Sequence, residues 1–183
     1  EKIYYFIFGQ EIPTDQGHIV IIGHSEKIKS RKLSELFDEV DSKKSVIIAP
    51  HPLHQTKFDK FFNNGRLSLD EGSIRIYKDK FDALELNPYF PSDWKKIEDL
   101  SEELKIPLLA NSDAHFVDEF FHSPSLHDSI SFEDPKGLIA SIKNSIKNKP
   151  LIYKKPHNFM KAHKHVLQEV IKIIGRKTMI LKE

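Results

Sequence analysis

Cysteine is absent from the 183 residues of this chain. Disulfides, thiolate metal sites and cysteine nucleophiles are therefore excluded, and the absence fits a reducing compartment, so we expect a cytoplasmic protein. Any metal ion would have to be held by histidine, aspartate or glutamate.

Long apolar runs and an excess charge of either sign are also missing. No run approaches the roughly 18 apolar residues of a membrane span, and we expect no membrane partner. The 28 basic and 27 acidic side chains nearly cancel, so the totals lack the field of a non-specific nucleic-acid binder. The lysine-rich stretch 143–157 is a local candidate for a phosphate or nucleic-acid patch, with a solvated helix end and loop as the alternative.

Neither a Gly-x-Ser-x-Gly motif nor a glycine-rich phosphate loop is present, which speaks against serine hydrolases and P-loop enzymes.

Short apolar runs alternate with segments of helical period. The runs predict strands at 3–8, 18–23, 46–49, 83–86 and 106–110. The helical segments lie at 30–40, 92–104, 134–148 and 159–174, with Ser30 a candidate N-cap of the first. Such alternation predicts a parallel α/β sheet or barrel. We expect one domain over 1–183, in which 150–183 form a C-terminal loop and helix.

Polar side chains come at or just past the ends of these predicted strands. They are Glu11, His51, Asn87, and Asp113 together with His115. Parallel α/β folds build their sites at the carboxyl ends of strands, so the coincidence points to a functional site. Asp113 and His115, two positions apart in an extended segment, would face the same side of the backbone.

The candidate metal ligands form one set: Glu11, His18, His51, Asp113 and His115. Imidazole nitrogens with carboxylate oxygens suit zinc, manganese or iron, and a metal-bound water becomes a nucleophile near neutral pH, so the set suits hydrolysis. Each residue has a plainer interpretation. Glu11 could be a solvated charge, and His18 could be an ordinary first residue of a strand. His51 could be part of a rigid turn between two prolines, and Asp113-x-His115 could form a surface turn.

Two further residues are candidates for substrate binding. His54 follows His51 by three positions, and a solvent-facing histidine is the alternative. Asn87 could bond a substrate or cap the turn before Pro88.

Several of these segments resemble the PHP family, the polymerase and histidinol phosphatase domains, in the order that the family uses. The matching segments are "FGQEIPTDQGHIVIIG" (8–23), "IIAPHP" (47–52), "ALELNP" (83–88) and "LLANSDAHF" (108–116). The resemblance extends over roughly residues 3 to 148.

The resemblance implies a distorted (β/α)7 TIM-like barrel, of which this chain would hold a part. It implies a site with up to three zinc, manganese or iron ions, in which Glu11 bridges two metals, His18 and His51 are ligands, and Asp113 and His115 complete the cluster. Catalysis would rest on Glu11, His51 and Asp113. The activity implied is hydrolysis of a phosphate ester of a small metabolite or nucleotide by a metal-activated hydroxide.

The chain departs from the family pattern at its start. The family opens with His-x-His on the first strand and Asp-His after the second, and neither precedes Glu11. We expect that the chain is the C-terminal portion of a longer protein, the alternative being a reduced version with an incomplete cluster. An incomplete cluster would favour a degenerate, non-catalytic scaffold that binds a partner or ligand, with apolar surface covered by missing sequence or a second copy. A metal-dependent nuclease is a weaker alternative.

Overall fold

A computed structural model describes residues 7–54, 67–114, 119, 123–127, 130 and 135–156. Its main feature is a five-stranded sheet in the order β1-β2-β3-β4-β5. The strands are β1 (Gly9–Pro13), β2 (His18–Ile22), β3 (Val46–Ala49), β4 (Ala83–Leu86) and β5 (Leu108–Ala110).

The direction of the strands changes across this sheet. β2 runs antiparallel to both β1 and β3, whereas β3, β4 and β5 run parallel to one another. All four residues of β3 and all four of β4 are buried, as expected of central strands that are covered on both faces.

Four α-helices accompany the sheet in the described part of the chain: α1 (Leu33–Glu39), α2 (Glu71–Ile76), α3 (Trp94–Leu104) and α4 (Pro135–Lys147). Two 3-10 helices, Lys78–Lys80 and Pro91–Asp93, lie beside α2 and α3. A second, two-stranded sheet pairs β6 (Ser125–Leu126) with β7 (Leu151–Ile152) in antiparallel fashion. None of the helices in the described ranges is long and apolar enough to cross a membrane.

The apolar core is divided by the sheet into two clusters. Alternate strand residues such as Ile47 and Leu84 pack in the larger cluster, together with side chains of α1, α2 and α3. Their neighbours Val46 and Ala83 belong to the smaller cluster, to which α4 contributes Ile139 and Ile146. Because successive strand residues point to opposite faces, this division follows from the period of two.

A tight turn joins β1 to β2 and needs glycine at position 17. Gly17 has φ +145°, and a Cβ there would collide with the backbone nitrogen of Leu69. The close approach lets the next residue, His18, donate its backbone N–H to the carbonyl of Leu67 at 3.0 Å. The turn thereby fixes the segment around Leu69 against the start of β2.

The predicted (β/α)7 barrel is wrong. The described residues form an open sheet of mixed direction, with a small second sheet and no closed barrel. A βα barrel needs every strand parallel and joined by a crossover helix, but β2 follows β1 through the short turn at 14–17 and runs back along it. The parallel relation holds only for β3, β4 and β5 among the described strands.

The strands β2, β3, β4 and β5 confirm the predictions at 18–23, 46–49, 83–86 and 106–110. The first strand is displaced: Ile7 and Phe8 are not in a strand, β1 begins at Gly9, and residues 3–6 lie outside the described residues. Glu11 is consequently within a strand, rather than after one.

Three of the predicted helices, α1, α3 and α4, are present, each with somewhat shorter bounds than predicted. Ser30 does not cap α1, because the helix begins at Leu33, whose N–H donates to Asp15 Oδ1 in the β1–β2 turn at 2.9 Å. Helix α2, which is capped by Asp70, was not predicted from the sequence. The predicted helix at 159–174 lies outside the described residues.

Candidate metal centre

Three of the predicted ligands, Glu11, His18 and His51, converge at one edge of the sheet. His18 begins β2, which runs opposite to β3, so it lies at the edge where β3 ends and where the following loop carries His51. Glu11 pairs with Val20 on the neighbouring strand, two residues from His18. Diagonal neighbours of this kind share a face of an antiparallel pair, which brings the carboxylate to the imidazole.

The distances between the three groups are short enough for a single cation. Glu11 Oε1 lies 2.9 Å from His18 Nδ1 and 3.4 Å from His51 Nε2. Each residue offers one ligand atom, and the three atoms all lie within 4.8 Å of one another. The Glu11–His18–His51 cluster could therefore hold a metal ion through one carboxylate oxygen and two imidazole nitrogens.

The pKa values of the carboxyl and imidazole groups in the cluster depend on one another. Hydrogen bonds from His18 and His51 hold the pKa of Glu11 well below its ordinary value. Burial lowers the pKa of His51, but the hydrogen bond to Glu11 and the charges of Glu85 and Asp113 outweigh burial and raise it. The lowered pKa of Glu11 favours the ionised carboxylate that a cation needs, whereas the raised pKa of His51 means that a metal competes with a more tightly held proton at this ring.

The backbone and ring of His51 are both held in place. Its φ of +31° lies in the left-handed region, which costs a residue with a side chain free energy and concentrates at functional sites. Its backbone N–H donates to Glu85 Oε2 at 2.5 Å, and its ring Nδ1 lies 2.9 Å from the hydroxyl of buried Ser68. Since Ser68 engages Nδ1, the ring presents Nε2 to Glu11.

Glu85 is a functional candidate that was not predicted from the sequence. Its side chain is buried within β4, and burial raises its pKa to about 6. Besides the N–H of His51, Glu85 accepts a hydrogen bond from Asn87 Nδ2 at 3.3 Å. The available signal was an acidic residue inside the otherwise apolar strand "ALEL".

Asn87 links Glu85 to Asp113. The Asn87 amide also donates to Asp113 Oδ2 at 2.8 Å, while its own Oδ1 accepts the backbone N–H of Tyr89. Asn87 therefore both caps the turn and orders two carboxylates beside the cluster. Asp113 has φ +43°, the second predicted site residue in the left-handed region.

The remaining predicted site residues have different outcomes. Asp113 lies beside the Glu11–His18–His51 cluster but is not one of the three grouped ligands in the described residues. His54 is not a ligand of that group either, and its Nδ1 lies 2.9 Å from Asp93 Oδ2. His115 lies outside the described residues.

The first lysine of the 143–157 stretch is an internal anchor and not part of an exposed patch. Lys143 Nζ donates to Asp82 Oδ2 at 2.8 Å and to the carbonyls of Ser42 and Ser45. These bonds fix α4 against the start of β3. Farther along the stretch, Lys154 pairs with Glu98 of α3.

No protein-family model matches this sequence, and no curated protein matches it. Among solved structures, the chain is similar to PsfC from Pseudomonas syringae PB-5123, with a TM-score of 0.54 and 14% sequence identity. The match covers 91% of this chain and 65% of PsfC, so the chain spans about two thirds of the length of that protein. At this identity the likeness shows a shared fold.

Proposed function

We propose that this protein is a metal-dependent phosphoesterase that hydrolyses a phosphate ester of a small metabolite or nucleotide. The observation that carries the proposal is the convergence of Glu11, His18 and His51 at the sheet edge, with the Asn87–Asp113 pair beside them. The resemblance of the same segments to the PHP family supports phosphate esters as the substrate class.

The donor set fits a zinc, manganese or iron ion. These metals accept mixed imidazole and carboxylate ligands, and a cluster without sulfur suits any of the three. The three grouped residues provide one metal position, and the family resemblance supports up to three positions, with Asp113 and His115 as further ligands. When bound, such a metal supplies an acidified water molecule and positive charge to neutralise a phosphate.

The residues of the chain then have separate roles. Glu11 contributes the ionised carboxylate, and His18 and His51 contribute ring nitrogens. Ser68 and Glu85 orient His51 through its ring and its backbone, which reduces the reorganisation needed for binding. Asn87 directs the carboxylate of Asp113.

The test combines metal content with ester turnover. The chain is purified without chelators, its zinc, manganese and iron are measured by elemental analysis, and a panel of phosphate monoesters and diesters is screened with each metal. We expect at least one equivalent of metal per chain and metal-stimulated release of phosphate. Glu11→Gln and His51→Ala should lose both, whereas His24→Gln, a histidine outside the cluster, should retain them. Turnover that survives in both cluster variants would refute the proposal.

A second candidate is a non-catalytic scaffold that binds a cation. It is favoured by the engagement of Asp113 with Asn87, outside the three grouped ligands. This candidate predicts bound metal that depends on Glu11 and His51, with no hydrolysis of any ester. The same two measurements therefore separate the candidates.

A further inference from the structure

His54 is held in a fixed position by Phe90, a side chain that also contacts the Glu11–His18–His51 cluster, although His54 is not a member of that cluster. Its ring stacks on the ring of Phe90, with centroids 3.5 Å apart and planes inclined by 13°. Its Nδ1 lies 2.9 Å from Asp93 Oδ2, and the side chains of His54 and Asp93 are only 20% and 16% exposed. The stack fixes the plane of the imidazole, and the carboxylate fixes its rotation.

Phe90 places this histidine next to the cluster. The phenyl ring that stacks on His54 also meets the ring of His51 edge-on, with centroids 6.4 Å apart. Both histidines come from the loop that follows β3, while Phe90 and Asp93 come from the segment that follows β4. His54 and the cluster are thus neighbours across one aromatic side chain.

The pairing with Asp93 leaves Nε2 as the nitrogen that His54 can offer to a ligand. A protonated imidazole has two N–H donors, and the carboxylate accepts the one on Nδ1. Within the part of the chain that the structure describes, no hydrogen-bond partner is found for Nε2. A histidine that is oriented by a carboxylate and has its second nitrogen available to a ligand has the arrangement of a general acid.

We infer that His54 donates a proton to the leaving oxygen of a phosphate ester whose phosphoryl group lies at the cluster. This inference rests on the proposed function. A water oxygen attacks phosphorus, the bond between phosphorus and the leaving oxygen breaks, and that oxygen keeps the electron pair and takes the Nε2 proton of His54. The products are an alcohol and inorganic phosphate. The proton released by the water passes to solvent, from which the imidazole is reprotonated. Asp93 is a positioning residue in this step.

The test is the dependence of hydrolysis on the leaving group. An alkyl phosphate needs a proton on its poor leaving oxygen, whereas p-nitrophenyl phosphate releases a stable anion without one. We expect His54→Gln to lower kcat/KM for the alkyl ester about 100-fold or more and for the nitrophenyl ester less than about threefold. His24→Gln, the matched control, should change neither, and the metal content of both variants should equal that of the parent.

A second readout does not depend on turnover. Inorganic phosphate is added to the metal-loaded chain, and the ring resonances of His54 are followed by NMR. We expect them to shift on phosphate addition in the parent and to stay unchanged in Glu11→Gln, which lacks the cluster carboxylate.

Each outcome decides a different claim. The role of His54 would be overturned if His54→Gln lost the same activity on both esters at unchanged metal content. It would also be overturned if the ring resonances of His54 did not shift when phosphate is added. Either result would leave the phosphoesterase proposal intact. If the metal-loaded parent hydrolyses neither ester, the proposed function fails and this inference fails with it.

Discussion

The buried carboxyl of Glu85 should make the stability of the metal-free protein depend on pH. Burial in β4 raises the pKa of Glu85 from 4.5 to about 6 in the folded chain. The folded state therefore holds this proton more tightly than the unfolded state does. Below about pH 4.5 the group is protonated in both states, and its contribution vanishes. Between about pH 4.5 and 6 the unfolded chain loses this proton while the folded chain keeps it, so the free energy of unfolding falls over that interval and is level above it.

The size of the effect follows from the pKa difference. Each tenfold change in proton affinity is about 1.4 kcal/mol, so the change from 4.5 to about 6 costs the folded state about 2 kcal/mol above pH 6. Glu85→Gln retains an acceptor oxygen for the N–H of His51 and the amide of Asn87 but cannot ionise. We expect the variant to gain up to about 2 kcal/mol over the parent at pH 7 and little at pH 4.5.

Urea denaturation of chelated protein at pH 4.5, 5.5 and 7 measures this difference. Glu102→Gln, which removes an exposed carboxyl from α3, is the control and should follow the parent at each pH. A stability difference between Glu85→Gln and the parent that is the same at all three pH values would refute the pH dependence assigned to Glu85.

Three further predictions concern the turn, the metal centre and the α4 anchor. Gly17→Ala should lower the free energy of unfolding by about 2–3 kcal/mol in urea denaturation, because its Cβ would collide with the backbone of Leu69. The control is Gly9→Ala, whose Cβ would meet nothing nearer than 3.6 Å and which should lower the free energy of unfolding only slightly. Equal losses in the two variants would contradict a collision at position 17. Ser68→Ala frees the ring of His51 and should weaken zinc binding about tenfold in a chelator competition, with unchanged affinity as the contrary result. Lys143→Met leaves Asp82 without its cation and should cost about 2 kcal/mol in thermal or urea unfolding. Lys95→Met breaks an exposed pair on α3 and should change stability little, so similar losses in the two lysine variants would count against the anchor.

Local sequence patterns predicted much of the secondary structure correctly. The runs at 46–49 and 83–86 are short and mainly apolar, with Glu85 the exception, and they form buried strands at those positions. Apolar spacing in 94–104 likewise predicted α3, since Ile97 and Leu100 pack against the larger core cluster. The position of His18 and His51 at strand ends was also readable, because each borders an apolar run.

Strand direction and the site network were decided by tertiary structure. An apolar strand such as "HIVII" has the same pattern whether its neighbour runs parallel or antiparallel, so the reversal of β2 and the open sheet could not be read from periodicity. That reversal brings His18 to the edge where His51 lies. Similarly, the sequence separates His51 from Glu85, and His54 from Phe90 and Asp93, by more than 30 positions. Which residues can bind a cation or carry a proton follows from their chemical types alone. Only the packing of strands and loops from distant parts of the chain brings these groups within hydrogen-bonding distance, because such contacts depend on the path of the backbone through space.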